Sequence, residues 1–213
     1  MKTFTALLLV LFLFVSHVPA QDAKTIKLHA PEITTGKPLM QALKARASAR
    51  SFDSKPLSQQ ELSNILWAAY GINRAESGKR TAPSAKNWQE ISVYVILQEG
   101  AYIYDAKENV LKEILKEDIR SLAGMQDYAK TAPLNLIFVS DQSKMDKSSA
   151  EDKWLLSGAD AAFAIENVYL YCASQDLAVV VRAMIDKPAL AKKLGLPAEQ
   201  KIILGQTIGY KGK

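Results

Sequence analysis

Histidine and cysteine are nearly missing from this chain. Of two histidines, His17 falls in the N-terminal apolar region and leaves only His29, a surface side chain by its position, while Cys172 is the single cysteine. A cysteine-histidine metal centre, a Ser-His-Asp triad and a Cys-His pair each lack members. An internal disulfide is excluded too, so burial must hold the fold. Neither Gly-x-Gly-x-x-Gly nor a Gly-Lys-Ser/Thr phosphate loop occurs, and a phosphorylated ligand would have to be held by side chains and loop amides instead. The formal charge of +5 is scattered among acids rather than gathered on one face, so nucleic acid is not an expected partner. Repeats and disordered composition are also wanting, and 213 residues suit one domain with a full-sized core.

The apolar run from Ala6 to Val15 is short for a bilayer span. Preceded by Lys2 and followed by Val18-Pro19-Ala20 before Gln21, it has the layout of a secretory signal peptide. Residues 1–20 are therefore set apart, with an uncleaved anchor as the alternative. The expectation is an exported protein, periplasmic or secreted, with no stable membrane insertion after cleavage. Residues 21–37 read as an irregular leader, and 38–213 as the domain.

Pro38 suits the first position of a helix through Leu39-Met40-Gln41-Ala42-Leu43. Ser58-Gln59-Gln60-Glu61 is a capping box ahead of Leu62, Ile65, Leu66 and Ala69, a second amphipathic helix closed by Gly71, with Trp67 as a core residue. Ile91 to Leu97 is a strand by its β-branched content, reversed at Glu99-Gly100 into Ala101 to Tyr104 as a hairpin. Val110 to Tyr128 is charged and helical in pattern. Leu134 to Val139 follows Pro133 as a strand buried on both faces. Glu151 to Gln175 is a long helix with almost no polar face, which calls for cover on every side and hence for a second subunit, or else for a monomer core. A strand from Leu177 to Val181, a short helix capped by Asp186 and a last strand from Lys201 to Tyr210 complete an α+β pattern.

Two stretches carry candidate chemistry. In Arg46-Ala47-Ser48-Ala49-Arg50 a continuing helix would set both guanidinium groups on one face beside the Ser48 hydroxyl, at a cost of roughly 0.2–0.5 kcal/mol in repulsion that a bound dianion would remove. Cations complementing a helix C-terminus are the plainer reading. Arg80 to Glu90 is a polar loop stiffened by Pro83, with loop amides and with Asn87 and Gln89 able to read a pyrimidine-like edge; it also reads as an ordinary turn.

In order, the chain presents Arg-x-Ser-x-Arg-x-Phe, Pro-Leu-Ser-x-x-x-Leu, Leu66 to Arg74, Arg-Thr-Ala-Pro-Ser-Ala-x-Asn, Gly100 to Asp105, Asp118-Ile119-Arg120, Gln126, Ala132-Pro133, Gly158 to Asn167 and Lys193 to Pro197. That set resembles the FMN-dependent nitroreductase superfamily, close to the branch of the thiazole/oxazole-forming dehydrogenases of peptide maturation. The resemblance implies an α+β fold with a central mixed or antiparallel sheet flanked by helices, in an intertwined homodimer with FMN at the subunit interface. Carried over, Arg46, Ser48 and Arg50, with Ala47 between them, would hold the flavin phosphate and ribityl chain. Pro83, Ser84, Ala85 and Asn87 would come from the other subunit onto the ring. Ala183 and Met184 would place backbone groups near N5 and the pyrimidine edge, and Lys211 or Lys213 would be a C-terminal cation at the phosphate.

Three positions depart from the family pattern: Ala47 for a second basic residue, Glu166 for a glutamine, and Asp176-Leu177-Ala178 for Gly-Leu-Gly. The implied activity is an exported FMN-dependent oxidoreductase working in alternating half-reactions on a small aromatic, quinone or nitro-type acceptor. No protein nucleophile is needed, because the cofactor carries the redox chemistry. Export leaves NAD(P)H unsettled as the donor. A non-catalytic flavin-binding or recognition module on the same dimeric fold is the alternative, and flavin fragmentation or dehalogenation would use the same fold.

Overall fold

Side-chain alternation along two strands sets the architecture. In β4 (Ile91–Leu97) and β7 (Leu134–Asp141), Val93, Val95, Leu134, Leu136 and Phe138 join a core with α2 (Gln59–Tyr70) and α5 (Ala150–Ser174). Their neighbours Tyr94, Ile96, Ile137 and Val139 point the other way, into a core with α3 (Arg120–Ala123) and α6 (Lys187–Leu194). The result is a sheet covered by helices on both faces, which is why these strands read as continuous apolar runs. The computed structural model describes residues 24–212, so the signal-peptide reading of residues 1–20, and Lys213, lie outside the described residues.

Seven strands form the sheet, in the order β1 (Thr25–Lys27), β6 (Val110–Leu115), β5 (Gly100–Asp105), β4, β7, β9 (Gln200–Gly209), β8 (Ala178–Arg182), and every pairing is antiparallel. This is the α+β class the sequence indicates. The expected hairpin is present, with Leu97 opposite Gly100. The Ser58 capping box forms in full, and Gly71 ends α2 with its N–H on the Trp67 carbonyl at 2.9 Å. Trp67 is half-buried rather than core, its Nε1 donating to the Ile72 carbonyl at 3.3 Å. Among the described residues no helix is long and apolar enough to cross a membrane.

Three local expectations are overturned. The 110–128 segment is not one helix: β6 comes first, then α3 and α4 (Asp127–Thr131). Asn109 turns at a φ of 52° and β6 then finds partners on both sides, β5 and β1, so pairing overrides the charged, helix-prone composition. Part of the leader is that partner strand, β1, with Thr25 opposite Lys112. Pro38 is the residue before α1 (Leu39–Ala45), extended at ψ 147°, rather than its first helical residue.

α5 is the spine of one layer, about 37 Å long by its 25 residues, and packs against both α1 and α2. Its buried side includes Ala161, Ala164, Ile165 and Val168, yet Trp154, Leu155 and Phe163 remain exposed. Leu39, Met40 and Leu43 of α1 are exposed as well.

Candidate functional site

The helix expected to deliver both arginines stops at Arg46. Its N–H still bonds the Ala42 carbonyl at 2.8 Å, but a ψ of 121° turns the chain out of α1. Alanine-rich Ala47 to Ala49 has the propensity to go on, and tertiary bonds override it. The Ala49 N–H donates to the Val179 carbonyl at 2.9 Å, and Ser48 Oγ lies 2.8 Å from the Tyr169 hydroxyl. Arg46 and Arg50 therefore do not stack along one helix face. Ala45, Ala47 and Ala49 instead line a cavity of about 120 Å³ with Asp176 and Lys211, while the Arg46 guanidinium sits 5.4 Å from the ring centre of Tyr169, whose hydroxyl Ser48 reaches.

Tyr169, absent from the residues singled out in the sequence, organises this run. It is buried on α5, and its hydroxyl oxygen accepts the Val181 N–H at 2.8 Å. The hydroxyl hydrogen is then available to Ser48, which leaves the Ser48 hydrogen free to be donated outward. Arg46, Ser48 and Arg50 are exposed, and neither guanidinium meets a carboxylate among the described residues. Two planar cationic forks and a hydroxyl with no internal acid to neutralise them are a donor set that fits a phosphate. Ala47 belongs to the cavity side, so the missing basic residue leaves the Tyr169 side intact. Lys211 is also on the alanine side: its ammonium lies 3.5 Å from Asp176, which Lys37 meets too, and its backbone bridges to Phe52.

At the far end of β8, Arg182 is buried and bonded only to neutral acceptors. It donates to Thr207 Oγ1, the Ala123 carbonyl and Asn135 Oδ1, each at 2.7 Å, and burial lowers its pKa to about 10. This anchors the turn that follows. Ala183 and Met184 are exposed there, with the Met184 carbonyl taken by the Met125 N–H at 3.2 Å and the Ala183 carbonyl by the Ile185 N–H at 3.0 Å.

The loop from Pro83 to Gln89 is a strap held in an uncommon backbone form. Lys86, Asn87 and Gln89 all have positive φ, at 49°, 55° and 48°, which non-glycine residues adopt sparingly and which stores strain. Its restraints are many: the Ala85 N–H donates to Asp160 Oδ2 at 2.8 Å, the Gln89 N–H to Ser84 Oγ at 2.9 Å, and Arg80 Nε to Gln89 Oε1 at 2.8 Å. Pro83, Ser84 and Asn87 line a cavity of about 200 Å³, and Pro83 and Asn87 are exposed. The hairpin β2 (Ile72–Arg74) and β3 (Lys79–Arg80) supports it, Arg80 stacking 4.5 Å over the Tyr70 ring.

The basic run and the strap are fixed to the same helix, through Tyr169 and Asp160. Nine residues are two and a half turns, so these anchors lie about 13 Å apart along α5 and on opposite faces. Within one chain the run and the strap are thus anchored on opposite sides of α5. Asp160, like Tyr169, escaped the sequence reading, although a lone acid inside the apolar run from Gly158 to Ala164 was a usable signal.

Comparison with known proteins identifies the family. Residues 43–210 match the model of the nitroreductase family. A Methanocaldococcus jannaschii protein named as a nitroreductase is 30% identical over 166 residues, 73% of this chain and 83% of that protein. A nitroreductase crystal structure from Ralstonia eutropha superimposes with a TM-score of 0.85 at 40% identity, covering 91% of this chain and 92% of that one. The NADPH:FMN oxidoreductase of Vibrio harveyi, solved with NAD+, shares the fold at a TM-score of 0.59 and 19% identity, over 82% of this chain and 69% of that chain. With more than half its length matched, the chain belongs to the nitroreductase family of oxidoreductases.

Proposed function

We propose that this protein is an exported, homodimeric FMN-dependent oxidoreductase whose two flavin sites are each built from two chains. One observation carries the reading: within a chain, the unneutralised Arg46-Ser48-Arg50 run and the strained Pro83–Asn87 strap are held on opposite faces of α5. A second copy, turned about a two-fold axis, would bring its strap to the first copy's basic run. Exposed Leu39, Met40, Leu43, Trp154, Leu155 and Phe163 on α1 and α5 supply apolar area for that contact.

Arg46, Ser48 and Arg50 would hold the FMN phosphate and ribityl chain. Ala183 and Met184 would meet the ring edge through backbone N–H groups, their carbonyls being taken, and the partner's strap would cover the ring and exclude water. Lys211 would join the phosphate only by leaving Asp176. When bound, the flavin supplies hydride or single-electron transfer between a donor and a small aromatic, quinone or nitro-type acceptor. The ordered Arg-Thr-Ala-Pro-Ser-Ala-x-Asn segment favours the branch of the thiazole/oxazole-forming dehydrogenases. The layout of residues 1–20 supports export, and with it a donor other than cytoplasmic NAD(P)H.

The visible spectrum of the purified mature chain tests the core of the reading. A yellow protein near one FMN per subunit, bleached by dithionite, is expected. A colourless protein that takes up no FMN would return the chain to the recognition-module alternative. Acceptor screening with nitroaromatics, quinones and azoline precursors, each with NADH, NADPH or dithionite as donor, then separates the substrate classes, and fractionation of cells tests export.

A further inference from the structure

Beneath the strap lies a carboxyl group with no donor to satisfy it. Glu90 ends the strap, has no solvent exposure, and is fixed by its carbonyl, which accepts the Asp141 N–H at 2.9 Å. Among the described residues neither of its carboxylate oxygens has a hydrogen-bond partner. Beside it stands a second carboxyl, Asp160 of α5, itself 3% exposed and already accepting the Ala85 N–H; next to Glu90, Ile91 pairs with Ser140, whose hydroxyl lies 2.7 Å from that of Ser157, one turn before Asp160. The other groups facing the pair are few. Lys144 is the cation that acts on Glu90, and its ammonium donates to the Gln89 carbonyl at 3.1 Å. Tyr70, at the end of α2, has a buried hydroxyl without a partner, and Arg80 lies across its ring, bonded to the Tyr70 carbonyl and Gln89.

Two ionised carboxylates in contact inside a dry core repel strongly, and neither has a donor to spare for the other. One proton resolves both defects. A neutral Glu90 donates its O–H to Asp160, which then accepts from Glu90 and from Ala85 at once. We propose that Glu90 and Asp160 share a single proton, and that this proton is the latch holding the Pro83–Gln89 strap in its strained form. They are positioning residues for the strap and, if the strap covers the flavin as proposed above, for the flavin also. Burial first, and Asp160 second, raise the Glu90 pKa to about 7. The folded value lies above the ordinary 4.5, so the folded state keeps a proton the unfolded chain has released. Stability therefore falls as pH rises from about 4.5 to about 7 and levels off above that.

The test uses the full mature chain with Glu90→Gln, which donates to Asp160 at every pH, and Asp160→Asn, which keeps an acceptor for Ala85 without a charge. Three readouts are taken from about pH 5 to 8.5: the infrared band of a protonated carboxyl, the melting temperature without FMN, and the FMN dissociation rate. In the native protein the infrared band should be present at pH 6 and gone by about pH 8. The melting temperature should fall from about pH 5 to about pH 7 and level off above that, and flavin release should quicken by up to about tenfold between pH 6 and 8, following the lost proton. Glu90→Gln should lack the band and flatten both profiles, with Asp160→Asn as the second check should the first variant not fold. No protonated-carboxyl band at pH 6, or a Glu90→Gln profile that keeps the native slope, overturns the shared proton. A band and melting slope as expected with pH-independent flavin release overturns the latch. A protein that never binds FMN refutes the flavin reading, while the first two readouts still judge the pair.

Discussion

The Tyr169 hydroxyl joins Ser48 Oγ at 2.8 Å and the Val181 N–H at 2.8 Å, so one buried side chain sets both the basic run and the strand that leads to Met184. Tyr169→Phe removes both bonds and keeps the ring under Arg46. FMN binding should weaken by roughly 0.5–1.5 kcal/mol, the net worth of a neutral hydrogen bond, about 2–13-fold in Kd. Fluorescence titration with FMN reads this directly.

Arg46 and Arg50 face outward without internal acids, so their removal should be felt by the ligand and not by the fold. Arg46→Ala or Arg50→Ala should loosen FMN by roughly 1.5–3 kcal/mol, as for a hydrogen bond to a charged group, with the melting temperature nearly unchanged. Native-like titrations of both variants would remove them from the site.

Arg182 is the opposite case. Replacement by methionine takes the donor from Thr207 Oγ1 and the Ala123 carbonyl and leaves Asn135 Oδ1 with the Thr207 hydroxyl as its remaining donor, and should cost about 2–4 kcal/mol of stability. The urea midpoint should drop accordingly, with an unchanged slope.

Much of this fold is legible in the sequence because local signals and tertiary partners agree. Ser58 to Glu61 caps α2, Asp186 caps α6, and β4 and β7 are apolar on both sides because helices cover both sides. Legibility ends where distant partners decide. Nothing near Val110 announces that β1 will arrive to pair with β6, and nothing near Ala47 announces the Tyr169 and Val179 bonds that pull the chain out of its helix. The cations Arg46 and Arg50 could be singled out as residue types. The bonds that hold their stretch beside β8 could not, and neither could the buried anchors Tyr169, Glu90 and Arg182, whose meaning lies in what they touch, while Asp160 stood out as an acid inside an apolar run.

Glu61 gives a pH dependence of ordinary sign. Burial raises its pKa, but hydrogen bonds from Ser58 and Tyr210 prevail and the net shift is downward. Its contribution is present above the ordinary value of 4.5 and is lost as pH falls through the lowered folded one. Glu61→Gln should flatten the acid side of the melting profile below about pH 4.5, and Ser58→Ala should cost about 1 kcal/mol at neutral pH.

Subunit complementation tests the two-chain site most directly. Arg46→Ala/Arg50→Ala cripples one half-cradle and Asn87→Ala with Pro83→Gly the other, so each variant alone should bind FMN poorly. Mixed and exchanged at random, the two should recover about a quarter of the native sites, since half the dimers are mixed and each of these has one intact site. No recovery, with subunit exchange verified by mass labelling, would place the whole site within one chain and contradict the account.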